Sequence, residues 1–258
     1  MDATEVDKLA AAEDGMWWFH GLHGNLAAML ARAGAPSGPV LDAGCGTGGL
    51  LRRLSAWMPD AAFVGLDRDP RACAETARRW AGPVVLGSVD RLPFATGSLG
   101  AIVSADVLCH AGVDEAAALA EAHRCLRPGG AYVLNLPAYR WMFSDHDRAV
   151  DNARRYGRAD LAAALARAGF APVRVTYWNT LLFPLMAARR KLWPGGTAAS
   201  DVGLAPAPVE RLFAGLVGLE RRWLAAGRSL PFGGSVLAMG IKPLLSAPTP
   251  SIAQGSPA

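Results

Sequence analysis

The chain has 258 residues, 52% of them hydrophobic, with 29 glycines, 18 prolines and a formal charge of +4. That length suits one domain with insertions, and the apolar content supplies an ample core, which excludes a disordered or fibrous chain. No uninterrupted apolar run reaches the roughly 18 residues of a membrane-spanning helix, and only one lysine accompanies the basic cluster Arg189-Arg190-Lys191, unlike a nucleic-acid footprint.

The start, Met1-Asp2-Ala3-Thr4-Glu5, is acidic and lacks an apolar run, so no signal peptide is expected. Met16-Trp17-Trp18-Phe19-His20 then concentrates aromatics. After residue 39, strand and helix patterns alternate, the mark of a parallel α/β sheet. The pattern predicts strands at 39–42, 62–66, 84–86, 101–104, 132–136 and 172–178. Helices are predicted at 49–58, from Pro70, at 115–126 and at 159–168, with Leu50, Leu51, Leu54 and Trp57 on one stripe of the first. The next strand pattern, 235–241, follows more than fifty residues later, too many for a simple connection. Between them lie the apolar run Leu181, Leu182, Phe183, Leu185 and Met186, a Pro/Gly-rich break at residues 193–196, and a helix pattern over 209–224. Residues 181–234 carry seven basic and three acidic side chains, so the charge excess is local. Cys45, Cys73, Cys109 and Cys125 show no CxxC pair and no metal-type spacing, and read as reduced thiols of a cytoplasmic protein.

Between the first strand and helix stands Val40-Leu41-Asp42-Ala43-Gly44-Cys45-Gly46-Thr47-Gly48-Gly49. Glycines are needed where backbone approaches a ligand closely and φ turns positive. Gly44, Gly46 and Gly49 also satisfy GxGxxG, with Asp67 near the distance expected of a ribose-binding acid, so an NAD(P) oxidoreductase is one reading. Asp42 argues against it, because a carboxylate there repels a pyrophosphate but welcomes a cationic amine and sulfonium.

The spacing Asp42-x-Gly44-x-Gly46-x-Gly48 resembles the first motif of class I S-adenosylmethionine methyltransferases, and the likeness is closest to the methyltransferase type 11 group. Val64-Gly65-Leu66-Asp67, Asp90 within residues 87–94, residues 104–110 and Leu126-Arg127-Pro128-Gly129-Gly130 resemble further motifs of that family. The resemblance implies a Rossmann-like, doubly wound seven-stranded sheet and S-adenosylmethionine as cofactor. It implies that Asp67 meets the ribose hydroxyls, that Asp90 meets the adenine amine, and that residues around His110 line the reacting end. The cofactor set it implies is Trp18, Asp42, Gly44, Cys45, Gly46, Gly48, Asp67, Arg68, Ser88, Asp90, Arg91, Ala105 and His110. It also makes residues 1–37 a helical lid and 38–180 the cofactor core, while the long connection and its patterns make 181–234 a cap or membrane-touching insertion and 235–243 the last core strand, and the Pro/Ser/Ala-rich composition makes 244–258 a disordered tail.

His146, flanked by Asp145 and Asp147, is the candidate general base, since a carboxylate orients an imidazole and raises its pKa. His110 is a second candidate, and Tyr156, after Arg154 and Arg155, completes the catalytic set; those arginines hold a substrate anion or pair with the acids. An ion-pair network that merely fixes the loop is the structural alternative. The apolar insertion points to a hydrophobic small-molecule or lipid-like acceptor. A non-methylating cofactor-fold protein, such as a pericyclase or regulatory module, is a further reading. A nucleic-acid methyltransferase is not, for there is neither an Asn/Asp-Pro-Pro-Tyr/Phe-like tetrad nor a basic extension.

Overall fold

The computed structural model describes residues 10–192 and 205–244. Residues 10–15 are helical and lead into α1 (Trp17–Ala33), β1 (Val40–Ala43), α2 (Gly49–Trp57), β2 (Phe63–Asp67), α3 (Pro70–Arg79) and β3 (Val84–Leu86). There follow β4 (Leu99–Ala105), α4 (Glu115–Cys125), β5 (Leu126–Pro137), α5 (Asp145–Ala149) and α6 (Arg158–Arg167). The chain closes with β6 (Val173–Trp178), α7 (Phe183–Leu192), α8 (Ala207–Ala225) and β7 (Ser235–Ile241). The expected tail and the break at residues 193–196 lie outside the described residues.

The seven strands hydrogen-bond in the order β3-β2-β1-β4-β5-β7-β6, all parallel except β7, which runs against both neighbours. Helices cover both faces, which is why β1 reads as an unbroken apolar run around Asp42. One face packs α4 and α6 through Leu119, Leu161 and Leu165 onto Leu134 and Leu136. The other packs α1, α2 and α8 through Leu22, Leu26, Leu51, Leu54, Val217 and Leu224 onto Val103, Val133 and Leu237.

Some expectations shift. Trp57 is 48% exposed, and Trp80 covers that end of α2 instead, its indole bonded to Ser55 (3.0 Å). β5 starts at Leu126 rather than Tyr132, because Leu126 pairs with Leu99 before a bulge that takes in Gly129 (φ 81°). Leu182 and Phe183 are buried, while Leu181 and Leu185 stay out. On α8 the core-facing stripe is Phe213, Leu216, Val217 and Leu224, so Leu212 and Leu219 point away from it.

Candidate active site

The strand β1 delivers Asp42 to the carboxyl edge of the sheet, and the glycine turn follows. Gly44, Gly46 and Gly48 have φ of 88°, 54° and 81°, backbone that a side chain strains. A Cβ on Gly44 would lie 2.3 Å from Val107 Cγ2, so the loop presses directly on the segment after β4. The amides of Gly44 and Cys45 donate to the Leu66 carbonyl (2.8 and 2.9 Å), and the Gly46 amide donates to Asp67 Oδ2 (2.9 Å). Cys45 itself turns into the core, where burial pushes its thiol pKa up, so only its backbone can face a ligand.

The loop is acidic. Asp42 is 1% exposed, and neither of its oxygens has a hydrogen-bond partner among the described residues. Burial, and then the carboxylates of Glu13 and Asp67, push its pKa well up. A buried carboxyl without a donor is costly and calls for an N–H or a cation.

Glu13 escaped the sequence reading, since it stands far from the loop and belongs to no motif. Its Oε2 accepts from the Gly49 amide (3.0 Å) and the Thr47 hydroxyl, and pairs with Arg79 (3.1 Å). Burial raises its pKa against the pull of Thr47 and Arg79. This carboxylate therefore fills the helix N-terminus at which a dinucleotide fold holds pyrophosphate.

Asp67 closes β2, with Oδ1 accepting from the Asp69 amide (2.9 Å) and Oδ2 from Gly46. Burial raises its pKa, yet it stays partly open, and each oxygen keeps a second lone pair for a diol. Its carbonyl holds the Gly87 amide (2.9 Å), which brings Ser88, Asp90 and Arg91 alongside. Asp90 lines an open groove of about 750 Å³ with Gly112, Val113, Glu115 and Arg154. Arg68 reaches over to the Gly112 carbonyl (3.2 Å), and Arg91 stands exposed at the rim.

Ala105 at the end of β4, and Asp106 and His110 beyond it, are half-buried. Asp106 has φ 54°; its Oδ1 accepts from Asn135 Nδ2 (2.9 Å), and Asn135 Oδ1 accepts from the Trp178 indole (2.5 Å). Burial moves Asp106 up to about 7, against the pull of Asn135 and Arg155. Trp18 lies 6.0 Å from Trp178, so α1 reaches this edge as well.

His146 stands half-buried in α5. The oxygens of its neighbour Asp147 accept from Arg155 Nε and NH2 (2.8 and 3.0 Å) and from the Ser144 amide (2.9 Å). Asp145 pairs with Arg148 (2.5 Å). Arg155 also donates to the Ala138 carbonyl (2.9 Å), so Asp147 and Arg155 fix the loop, the structural alternative. Tyr156 is buried, its hydroxyl 2.6 Å from Glu115 Oε2 and 3.0 Å from the Leu108 carbonyl, and burial, then Glu115, pushes its pKa up. That is no poised base. The His110 carbonyl accepts from Arg154 (2.6 Å).

Residues 40–130 match the family model described as a methyltransferase domain. The malonyl-[acyl-carrier protein] O-methyltransferase of Dechloromonas aromatica is 42% identical over 95 residues, 37% of this chain and 35% of that protein. The demethylmenaquinone methyltransferase of Roseiflexus sp. is 40% identical over 107 residues, 40% of this chain and 44% of that protein. The chain thus spans less than half the length of these curated relatives. Among solved structures, the Streptomyces coelicolor geranyl diphosphate C-methyltransferase, in complex with Mg2+, geranyl diphosphate and S-adenosyl-L-homocysteine, aligns with TM-score 0.59 at 18% identity, covering 87% of this chain and 80% of that one. The fold is the Rossmann-like fold of class I methyltransferases.

Proposed function

From residues 40–130, which match a methyltransferase-domain family model, we propose that the chain transfers a methyl group from S-adenosylmethionine to an apolar small-molecule or lipid-like acceptor. The observation that carries this reading is Asp42, a fully buried carboxyl beside the glycine turn with no donor among the described residues. A cofactor that brings an ammonium and a sulfonium suits it, whereas Glu13 already takes the helix N-terminal amide that a pyrophosphate would need. An NAD(P) oxidoreductase is disfavoured for that reason.

When bound, S-adenosylmethionine supplies an electrophilic methyl group for in-line attack by the acceptor. Asp67 would accept from the ribose hydroxyls and Asp90 from the adenine amine, with Arg68, Ser88, Arg91 and His110 around them. Backbone from Gly44 to Gly48 and from Ala105 onward would line the rest, with Trp18 above. The helical residues 10–15 are fastened over the glycine turn: Arg79 pairs with Glu13 and Asp14, and Arg52 with Asp14 (2.8 Å). That supports a lid role for residues 1–37, which excludes water from the transfer.

The acceptor side supports an apolar ligand. Tyr139 stacks on Tyr177 (5.2 Å) and on Trp141 (5.7 Å), and Phe183 joins Tyr139 (5.4 Å) and Phe232 (6.1 Å). Leu181, Leu185, Leu212 and Leu219 are exposed in the same insertion that carries the basic excess, which favours peripheral contact with an anionic membrane surface. No helix among the described residues is long and apolar enough to cross a membrane.

Transfer of labelled methyl from S-adenosylmethionine tests the reading on demethylmenaquinone, geranyl diphosphate and dimethylglycine, each with and without anionic vesicles. Label should enter a solvent-extractable or isoprenoid product, faster with vesicles. Label in dimethylglycine alone overturns the apolar acceptor, and equal rates with and without vesicles overturn the membrane contact.

A further inference from the structure

We propose that Asp106 is the proton acceptor of the transfer site, its Oδ2 taking the proton that leaves the acceptor's nucleophilic atom as the methyl arrives. The proposal rests on the methyltransferase reading above. It follows from position, backbone and hydrogen bonding.

Asp106 comes directly after β4, at the carboxyl edge where doubly wound sheets bind ligands. The side chain of Val107, the next residue, presses on Gly44, so the segment that carries Asp106 packs against the glycine turn. The residue holds φ 54°, a left-handed backbone that non-glycine residues adopt at a cost, and such conformations cluster at working sites. Its amide donates to the Asn135 carbonyl (2.9 Å), and Cys109 Sγ donates to its own carbonyl (3.0 Å), which keeps it there.

The side-chain bonding fixes which oxygen works. The Trp178 indole can only donate. Asn135 must therefore turn its oxygen to Trp178 (2.5 Å) and its NH2 to Asp106 Oδ1 (2.9 Å). Oδ1 is held as an acceptor, so a proton on this carboxyl sits on Oδ2. Among the described residues no hydrogen bond to Oδ2 is formed, and Asp106 keeps accessible surface.

Its charged and titratable surroundings are few. The Arg155 guanidinium, already bonded to Asp147, favours the ionised form, and the Cys109 thiol, raised by burial, stays neutral. Burial outweighs them and leaves Asp106 near 7, where a general base is most effective. In the balanced step, an electron pair on the acceptor forms the bond to the methyl carbon. The carbon–sulfur pair stays on sulfur, and the proton released by the acceptor goes to Oδ2 and then to solvent.

The test needs no identified acceptor. In protein labelled with carboxyl-13C aspartate, the Asp106 resonance is the one that Asp106→Asn removes; Asp106→Glu serves the same end where Asn is not tolerated. Its pH titration is followed with S-adenosylmethionine bound and with S-adenosylhomocysteine bound. A carboxylate facing the reacting centre feels the sulfonium, so its pKa should lie lower by about one unit or more in the first complex. Equal values in the two complexes overturn the proposal while leaving the methyltransferase reading intact. Failure of both ligands to bind overturns that reading and the proposal with it.

Discussion

Asp147 is fully buried and bonded through both oxygens to Arg155, whereas Asp42, equally buried, has no donor among the described residues. The contrast separates a structural acid from the one proposed to meet a ligand. Burial acts to raise the Asp147 pKa, but Arg155 and Ser144 prevail and hold it below the ordinary value. Its contribution to stability is therefore present above the usual carboxylate range and is lost only as the pH falls through the lower, folded value. Asp147→Ala leaves Arg155 buried without its partner and should cost about 3–5 kcal/mol, lowering Tm by about 10 °C in thermal unfolding at pH 7. A loss under about 1 kcal/mol would mean that the pair behaves as a solvated one. Asp106 has the opposite sign: with its folded pKa near 7 it contributes stability that declines as the pH climbs from about 4 to 7. Asp42, Asp67 and Asp90 were legible because a motif spaces them. Asp106 stood inside a segment the sequence singled out, yet burial, left-handed φ and the Asn135 bond have no signature in the residue string. Glu13 had none either, since its partners lie 34 and more residues away.

The elements of the sheet could be read from their periods, and most ends moved by only a residue or two. The helix of the insertion, expected over 209–224 and found at Ala207–Ala225, could be read too, but its packing could not, because an amphipathic pattern does not say which side meets the core. What brings α1 and α8 together is the absence of side chains at Gly21 and Gly24. A Cβ on Gly21 would lie 2.4 Å from Val217 Cγ1 and 3.1 Å from Trp178, and one on Gly24 would meet Arg221. Gly21→Ala should therefore destabilise by about 1–3 kcal/mol through overpacking, despite its better helix propensity. Gly215, in α8, has nothing within 4 Å of a Cβ, so Gly215→Ala should stabilise by about 0.5–1 kcal/mol. Thermal unfolding of both variants decides. A neutral Gly21→Ala would show that the two helices are not in close contact in solution.

Across the whole molecule, the strand order reverses at β1 and β4, and there the glycine turn, Asp42 and Asp106 converge. Alternating strand and helix signals made the doubly wound class legible. The antiparallel course of β7 between β5 and β6 was not, since a strand pattern carries no direction. The acidic residues proposed for the cofactor stood out because each lies at or near the end of a strand or in the turn that follows it, where spacing is fixed. The aromatic cluster proposed to face the acceptor joins separate stretches, Tyr139 after β5, Tyr177 in β6, and Phe183 and Phe232 in the insertion; the first and third stood out as apolar stretches, but their meeting with Tyr177 and Phe232 has no local pattern.

Calorimetric titration of the purified chain with S-adenosylmethionine, S-adenosylhomocysteine and NAD+, for the wild type and Asp67→Ala, tests the central claim most directly. Both adenosyl ligands should bind at roughly micromolar Kd, and Asp67→Ala should weaken them about a hundredfold, the ~2–3 kcal/mol of charge-assisted hydrogen bonding. NAD+ should give no binding heat. Binding of NAD+ without binding of S-adenosylmethionine would contradict the account.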